Sequence, residues 1–210
     1  MIKTKLSRIT IVSSGGTRVN EVLKYEFPCR ADQFQLVSSL TFTRFGFADP
    51  TCRVAGSLFA KAFWTPQGSC LLALTQELQS VRAEILGEGA LWVRNWLQGN
   101  WPPQPLRLPV CDAPYHSRVE KLLQRFRGIA VAPVPWSWDV AMAYVFQQRV
   151  TFTEASESFA KLVHRYGPAA PGPLSLRLIP HPRDWAQIGV DRLQQIGLDA
   201  KRARTALRLA

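Results

Sequence analysis

Five side chains have the types and placement to act on a polyanion. Gln148 and Arg149 lie in the short polar stretch Gln148-Arg149-Val150-Thr151, and Lys201, Arg202 and Arg204 stand among Ala203, Ala206 and Leu207 near the end of the chain. Ammonium and guanidinium groups supply donors and charge to phosphate oxygens. Each group also has a plainer reading: a solvated connection between two helices, and the basic outer face of an amphipathic one. The remaining titratable residues form no acid–base pair. His181 precedes Pro182 at a helix start, His116 and His164 have no partner pattern, and Asp184, Asp191 and Asp199 occupy helix-start positions. No catalytic residue is assigned. Cys29, Cys52, Cys70 and Cys111 make no C-x-x-C pair and have no His at ligand spacing, so neither a metal nor a cysteine-ligated cluster is expected. No cofactor is expected either. Reduced core cysteines suit a cytoplasmic protein.

Charge narrows the partner. Lys and Arg number 26 against 15 Asp and Glu, a formal net charge of +11, and residues 116–210 hold 14 basic to 7 acidic side chains. Such an excess favours nucleic acid, with a basic surface kept for solubility as the alternative. A hydrophobic fraction of 47%, with seven Trp and eleven Phe, supplies cores and argues against disorder. No uncharged run reaches membrane-spanning length and the N-terminus lacks a signal-peptide pattern, so no membrane role is expected.

The elements that must position these residues divide the chain. Residues 1–22 read as a flexible leader and residues 23–100 as an α+β N-terminal domain. Within it, Leu23 to Phe27 is strand-like. Asp32 can cap a helix carrying Phe34, Val37, Leu40 and Phe45 and closed by Gly46. Thr65-Pro66-Gln67-Gly68 is turn chemistry between the runs 58–64 and 70–74, giving a hairpin. Val81 to Leu86 adds a third strand, and Ala90 to Leu97 reads as a helix closed by Gly99. Five prolines between 102 and 114 make residues 101–114 an extended connector. Residues 115–210 then show about six helical segments. Ser117 to Glu120 and Thr151 to Glu154 fit capping boxes, with Val119, Leu122, Leu123 and Phe126 as the first buried stripe. Trp138, Ala141, Met142 and Val145 form the next, and Ala155, Phe159, Leu162, Val163 and Tyr166 the third. Pro182, Asp191 and Asp199 open the last segments. Trp136, Trp138 and Trp185 are read as core. The predicted fold class is α+β, a small antiparallel sheet with helices followed by an all-α domain that looks incomplete.

Several segments, in order, resemble the DNA-3-methyladenine glycosylase II family of helix-hairpin-helix base-excision glycosylases. Leu122-Leu123-Gln124-Arg125-Phe126-Arg127-Gly128-Ile129 resembles the helix end that opens the family's helical domain. Pro135-Trp136-Ser137-Trp138-Asp139-Val140 followed by Gln148-Arg149-Val150-Thr151 is similar to its P-x-x-x-E-x-L…Q-[QR]-V-[ST] stretch. Ile179-Pro180-His181-Pro182 and the run Leu193 to Ala203 resemble two later motifs. The resemblance implies a base-excision repair hydrolase that flips a damaged, alkylated base out of duplex DNA and cleaves its N-glycosidic bond. Arg149 is then the wedge that fills the vacated space, and Gln148 orients the turn or reads a base edge. The family's L-P-G-I-G hairpin and catalytic Asp have no counterpart, and residue 210 falls inside a helical pattern. The expectation is therefore a monomeric glycosylase relative, inactive as this chain. A non-catalytic module for distorted duplex, or one piece of a split glycosylase, is the alternative. A helical domain lacking that half is expected to leave apolar surface exposed.

Overall fold

The computed structural model describes residues 8–11, 20–31, 33–103 and 117–210. Its first half is a six-stranded, fully antiparallel sheet in the order β1-β2-β6-β5-β4-β3. The strands are β1 (Arg8–Ile11), β2 (Asn20–Pro28), β3 (Cys52–Ala55), β4 (Leu58–Thr65), β5 (Gly68–Gln76) and β6 (Ser80–Leu86). The expected hairpin is β4–β5, with Thr65 paired to Gly68 across the turn. Arg8–Ile11, which the sequence places in a leader, forms an edge strand on β2 with Arg8 opposite Leu23. The alternation Arg8-Ile9-Thr10-Ile11 suits a strand, but four residues next to the polar, glycine-containing run 13–16 carry little signal of their own, and the neighbouring strand dictates their pairing. The α+β expectation holds.

Side-chain alternation explains how β4 is buried on both faces. Phe59 and Phe63 point to a core with α1 (Leu36–Leu40), α2 (Ala90–Asn100) and Trp136. Ala60 and Ala62 point the other way, under Leu176 and Leu178. Loop residues 168–178 thus serve as the second cover of the sheet. They are fastened by the Arg177 backbone N–H, which donates to Pro50 O at 2.9 Å, and by the Arg177 side chain on Val163 O and Gly167 O. Helix α1 is much shorter than the pattern from Asp32 to Gly46 implies. It starts after Gln35 and continues as a 3-10 turn over Thr41–Thr43 that ends at the extended Arg44, two residues before the expected closing Gly46. Asp32 lies outside the described residues, as do Cys111, His116 and most of the proline-rich connector.

The second half is helical: α3 (Ser117–Arg125), α4 (Ser137–Gln147), α5 (Phe152–Tyr166), α6 (Trp185–Gln195) and α7 (Ala200–Leu209). Phe146, Phe159, Leu162, Val163, Trp185, Leu193 and Ala203 form its core, with Met142 and Val145 from α4. The stripe assigned to α3 is a correction. Val119, Leu122 and Phe126 are exposed, because no described element covers that face. Helix α6 breaks at Gly189, whose φ of 73° and ψ of 169° no other residue adopts cheaply. Asp191 therefore opens a second helical segment, as its sequence suggests. Among the described residues no helix is long and apolar enough to cross a membrane.

Sheet and helices meet over a buried charge cluster. Lys61 of β4, 2% exposed, places its Nζ 3.1 Å from Asp139 Oδ1 of α4 and 3.9 Å from Asp49 Oδ2, and donates to Thr51 Oγ1. Removing one partner of such a pair strands a charge in a low dielectric. Asp139→Ala is expected to lower unfolding free energy by about 3 kcal/mol, and adding Lys61→Met to restore most of it, measured by urea denaturation. Additive losses in the double variant would contradict that coupling.

Candidate nucleic-acid interface

The turn Gln148–Thr151 is built from both sides. Upstream, α4 ends at Gln147, and the Gln148 N–H reaches back to Val145 O at 3.3 Å. Downstream, the expected capping box is present: Glu154 N–H donates to Thr151 Oγ1, and Thr151 N–H donates to Glu154 Oε2 at 3.0 Å. Between them Arg149 sits at φ 60°, one of two non-glycine residues in the left-handed region among those described. An unbranched side chain tolerates that region only at a cost, and such outliers gather at functional sites. Arg149 and Gln148 are both exposed. They share a cleft of about 340 Å³ with Asp199, Lys201 and Arg202 at the start of α7. The structure thus brings four of the five expected residues together.

The five are not equivalent. Lys201 and Arg204 are exposed, whereas Arg202 is 6% exposed and turned inward. Its Nε donates to Asp199 Oδ2 at 2.7 Å and its Nη1 to Phe146 O at 2.9 Å. With its fork occupied by protein acceptors, Arg202 is not a free phosphate donor. Asp199 is the N-cap of α7, accepting from the N–H groups of Lys201 and Arg202. His181 caps a short 3-10 turn, its Nδ1 accepting from Arg183 N–H, and its ring stands edge-on to Trp64. No acid–base role follows.

Sequence reasoning missed the cavity behind the turn. It encloses about 370 Å³ and is walled by Phe42, Phe45, Tyr144, Phe152 and Phe159, with Gln147, the residue before the turn, on its rim. Trp136, Lys61 and Asp139 lie at its inner end. Burial alone would push the Lys61 ammonium down, but Asp49 and Asp139 together outweigh it and hold the group above its ordinary value. Burial pushes the Asp139 carboxyl up, with Lys61 pulling it back. Asp139 Oδ2 has no hydrogen-bond partner, and both its oxygens are shut off from solvent. Phe42 and Phe152 are exposed and no spacing in the sequence connects them; only the fold shows that they converge on the cavity. Among the described residues no group of three or more His, Cys, Asp or Glu side chains could hold a metal ion.

An antiparallel sheet packed on a helical domain is a fold that this chain shares with DNA glycosylases of known structure. A 3-methyladenine DNA glycosylase from Archaeoglobus fulgidus superposes with a TM-score of 0.64 at 15% identity, over 88% of this chain and 66% of that one. MBOgg1, solved in complex with a low affinity DNA ligand, gives 0.55 at 12% identity over 98% and 64%. An 8-oxoguanine glycosylase/lyase from Clostridium acetobutylicum gives 0.54 at 6% identity over 96% and 63%. The chain spans just under two thirds of the length of these enzymes. No family model matches the sequence, and no curated protein matches it.

The caps on either side of the cleft carry a pH dependence. The Arg202 N–H and guanidinium hold the Asp199 carboxyl below its ordinary value, and the Thr151 N–H and hydroxyl do the same for Glu154. Groups depressed in the folded state contribute stability above their unfolded pKa, and that contribution is lost as pH falls through the folded one. The thermal midpoint is expected to be level above about pH 5 and to fall below about pH 4. Thr151→Ala should cost about 1 kcal/mol in urea denaturation at pH 7. A midpoint indifferent to acid in the wild type would remove both caps from the account.

Proposed function

We propose that this chain is the base-recognition part of a DNA glycosylase of base-excision repair that acts on alkylated bases. It binds duplex DNA, inserts Arg149 where a damaged base leaves the stack, and receives that base in the aromatic cavity. The observation that carries this is the pairing of Arg149, strained and exposed at φ 60°, with an aromatic cavity that begins at Gln147. A planar guanidinium stacks on bases and pairs with phosphate, so one side chain does both tasks. Lys201 and Arg204 supply phosphate contacts, and Gln148 orients the turn. The alkylated-base reading is supported by the motif resemblance and by the likeness to a 3-methyladenine DNA glycosylase.

The bond itself is left intact by this chain. A glycosylase needs a carboxylate against the developing sugar cation. Asp139 is the one carboxylate lining the cavity among the described residues, and it is sealed from solvent and paired with Lys61. That same sealing favours the second reading, a non-catalytic module for distorted duplex.

Titration of mismatched duplex at several salt concentrations tests the DNA reading. Affinity is expected to fall with a log–log slope of about −0.9 per phosphate contacted, and Lys201→Ala to reduce that slope by about one. Arg149→Ala should weaken mismatch binding by about tenfold, or 1.4 kcal/mol, and change binding to matched duplex far less. Salt-independent binding, or an Arg149→Ala variant indistinguishable from wild type, would refute the interface. Incubation with methylated duplex DNA is expected to release no methylated base above background. Measurable excision would overturn the assignment of inactivity.

A further inference from the structure

Arg202 combines near-complete burial with charge, and its bonds reach three separate segments. Nη1 donates to Phe146 O in the last turn of α4, Nη2 to Gly197 O in the loop between α6 and α7, and Nε to Asp199 Oδ2 at the α7 N-cap. We propose that Arg202 is a positioning residue for the DNA-inserting turn, locking the end of α4 so that Arg149 is held out for insertion. This rests on the reading of Arg149 as the wedge.

The physical case begins with what the turn lacks. The last carbonyls of a helix have no intrahelical acceptor role to play, and Phe146 O is among them in α4. A strained residue persists only where its surroundings over-determine it. The capping box fixes the turn downstream at Thr151, but upstream the turn's own closing contact is the 3.3 Å bond from Gln148 to Val145. Arg202 supplies the missing restraint and sets a positive charge at the negative end of the α4 dipole. The frame behind it is rigid. Gly197, at φ 108°, lies so close to α5 that a Cβ there would come within 2.5 Å of Ser158 Oγ. Asp199 meanwhile holds both the α7 backbone and the Arg202 side chain. A planar fork with donors in fixed directions spans these three acceptors. A lysine ammonium keeps the charge but cannot.

The test uses duplex DNA with 2-aminopurine beside a mismatch, whose fluorescence rises when the base is unstacked. Wild-type protein at saturation is expected to raise the signal, and Arg149→Ala to abolish the rise. Arg202→Lys should give a rise about threefold smaller, because the turn occupies its inserting conformation less often. Its affinity for matched duplex should stay within about twofold of wild type, because the charge is kept. A full rise with Arg202→Lys overturns the inference, as does a loss confined to affinity, which marks an ordinary phosphate contact. Should Arg202→Lys lose its circular dichroism signature, Asp199→Asn provides the second arm. It retains an oxygen for the α7 N–H groups and removes the one that takes Nε–H, so the same smaller rise is expected and an unchanged one refutes the proposal. No rise with wild-type protein would sink the wedge itself, and with it any turn for Arg202 to position.

Discussion

An ammonium group in the middle of a β-strand has to be answered, and the answer given to Lys61 ties this molecule together. Its counter-charges come from opposite sides: Asp49 from the loop before β3, and Asp139 from the first turn of α4. Asp49 is fully engaged, accepting from the N–H groups of Phe45 and Thr51 and from the Thr51 hydroxyl. Asp139 is less well served, with one oxygen unbonded. The pair thus contributes more to the setting of α4 against the sheet than to net stability, in line with what buried ion pairs cost to desolvate. Because α4 runs from Asp139 to the turn, the angle set at Lys61 is carried along one rigid rod to Arg149. The cavity opens along that rod, between the helix and the rings of Phe42 and Phe45.

Two scales of order meet at the turn. The sheet and its covers hold the start of α4 through a charge pair, and α7 holds its end through a guanidinium on a main-chain oxygen. Neither contact touches Arg149 directly. Its conformation is instead the remainder left when both ends are fixed and α5 is capped at Thr151. Local sequence gives no reason for an arginine to adopt a left-handed backbone. The reason lies in elements distant along the chain and close in space.

That division marks what could be read from the residues alone. The β4–β5 hairpin, the box Thr151–Glu154, the cap at Asp199 and the segment opening at Asp191 all depend on neighbours within four residues, and all were legible. The α+β class and the cationic turn were legible too. Edge strands β1 and β3 were not, since their pairing is imposed by β2 and β4. The stripe Val119, Leu122, Phe126 has helical spacing but lies exposed, because periodicity reports an amphipathic face and not what covers it. Asp139 and Lys61 were hidden for a related reason: 78 positions apart, as their numbers show, they form one cluster only after folding. Arg202 was legible as a cation near a helix start, but its direction was set by Phe146 and Gly197, which no local rule connects to it.

The acceptors that Arg202 grips have one further consequence. Two of its three partners are main-chain oxygens, at Phe146 and Gly197. A carbonyl is present whatever side chain a position carries, so the latch makes no demand on the chemistry at Phe146. Its requirements fall on Arg202 and on the acid at Asp199. A joint of this kind lets the surrounding sequence drift while the geometry stays put.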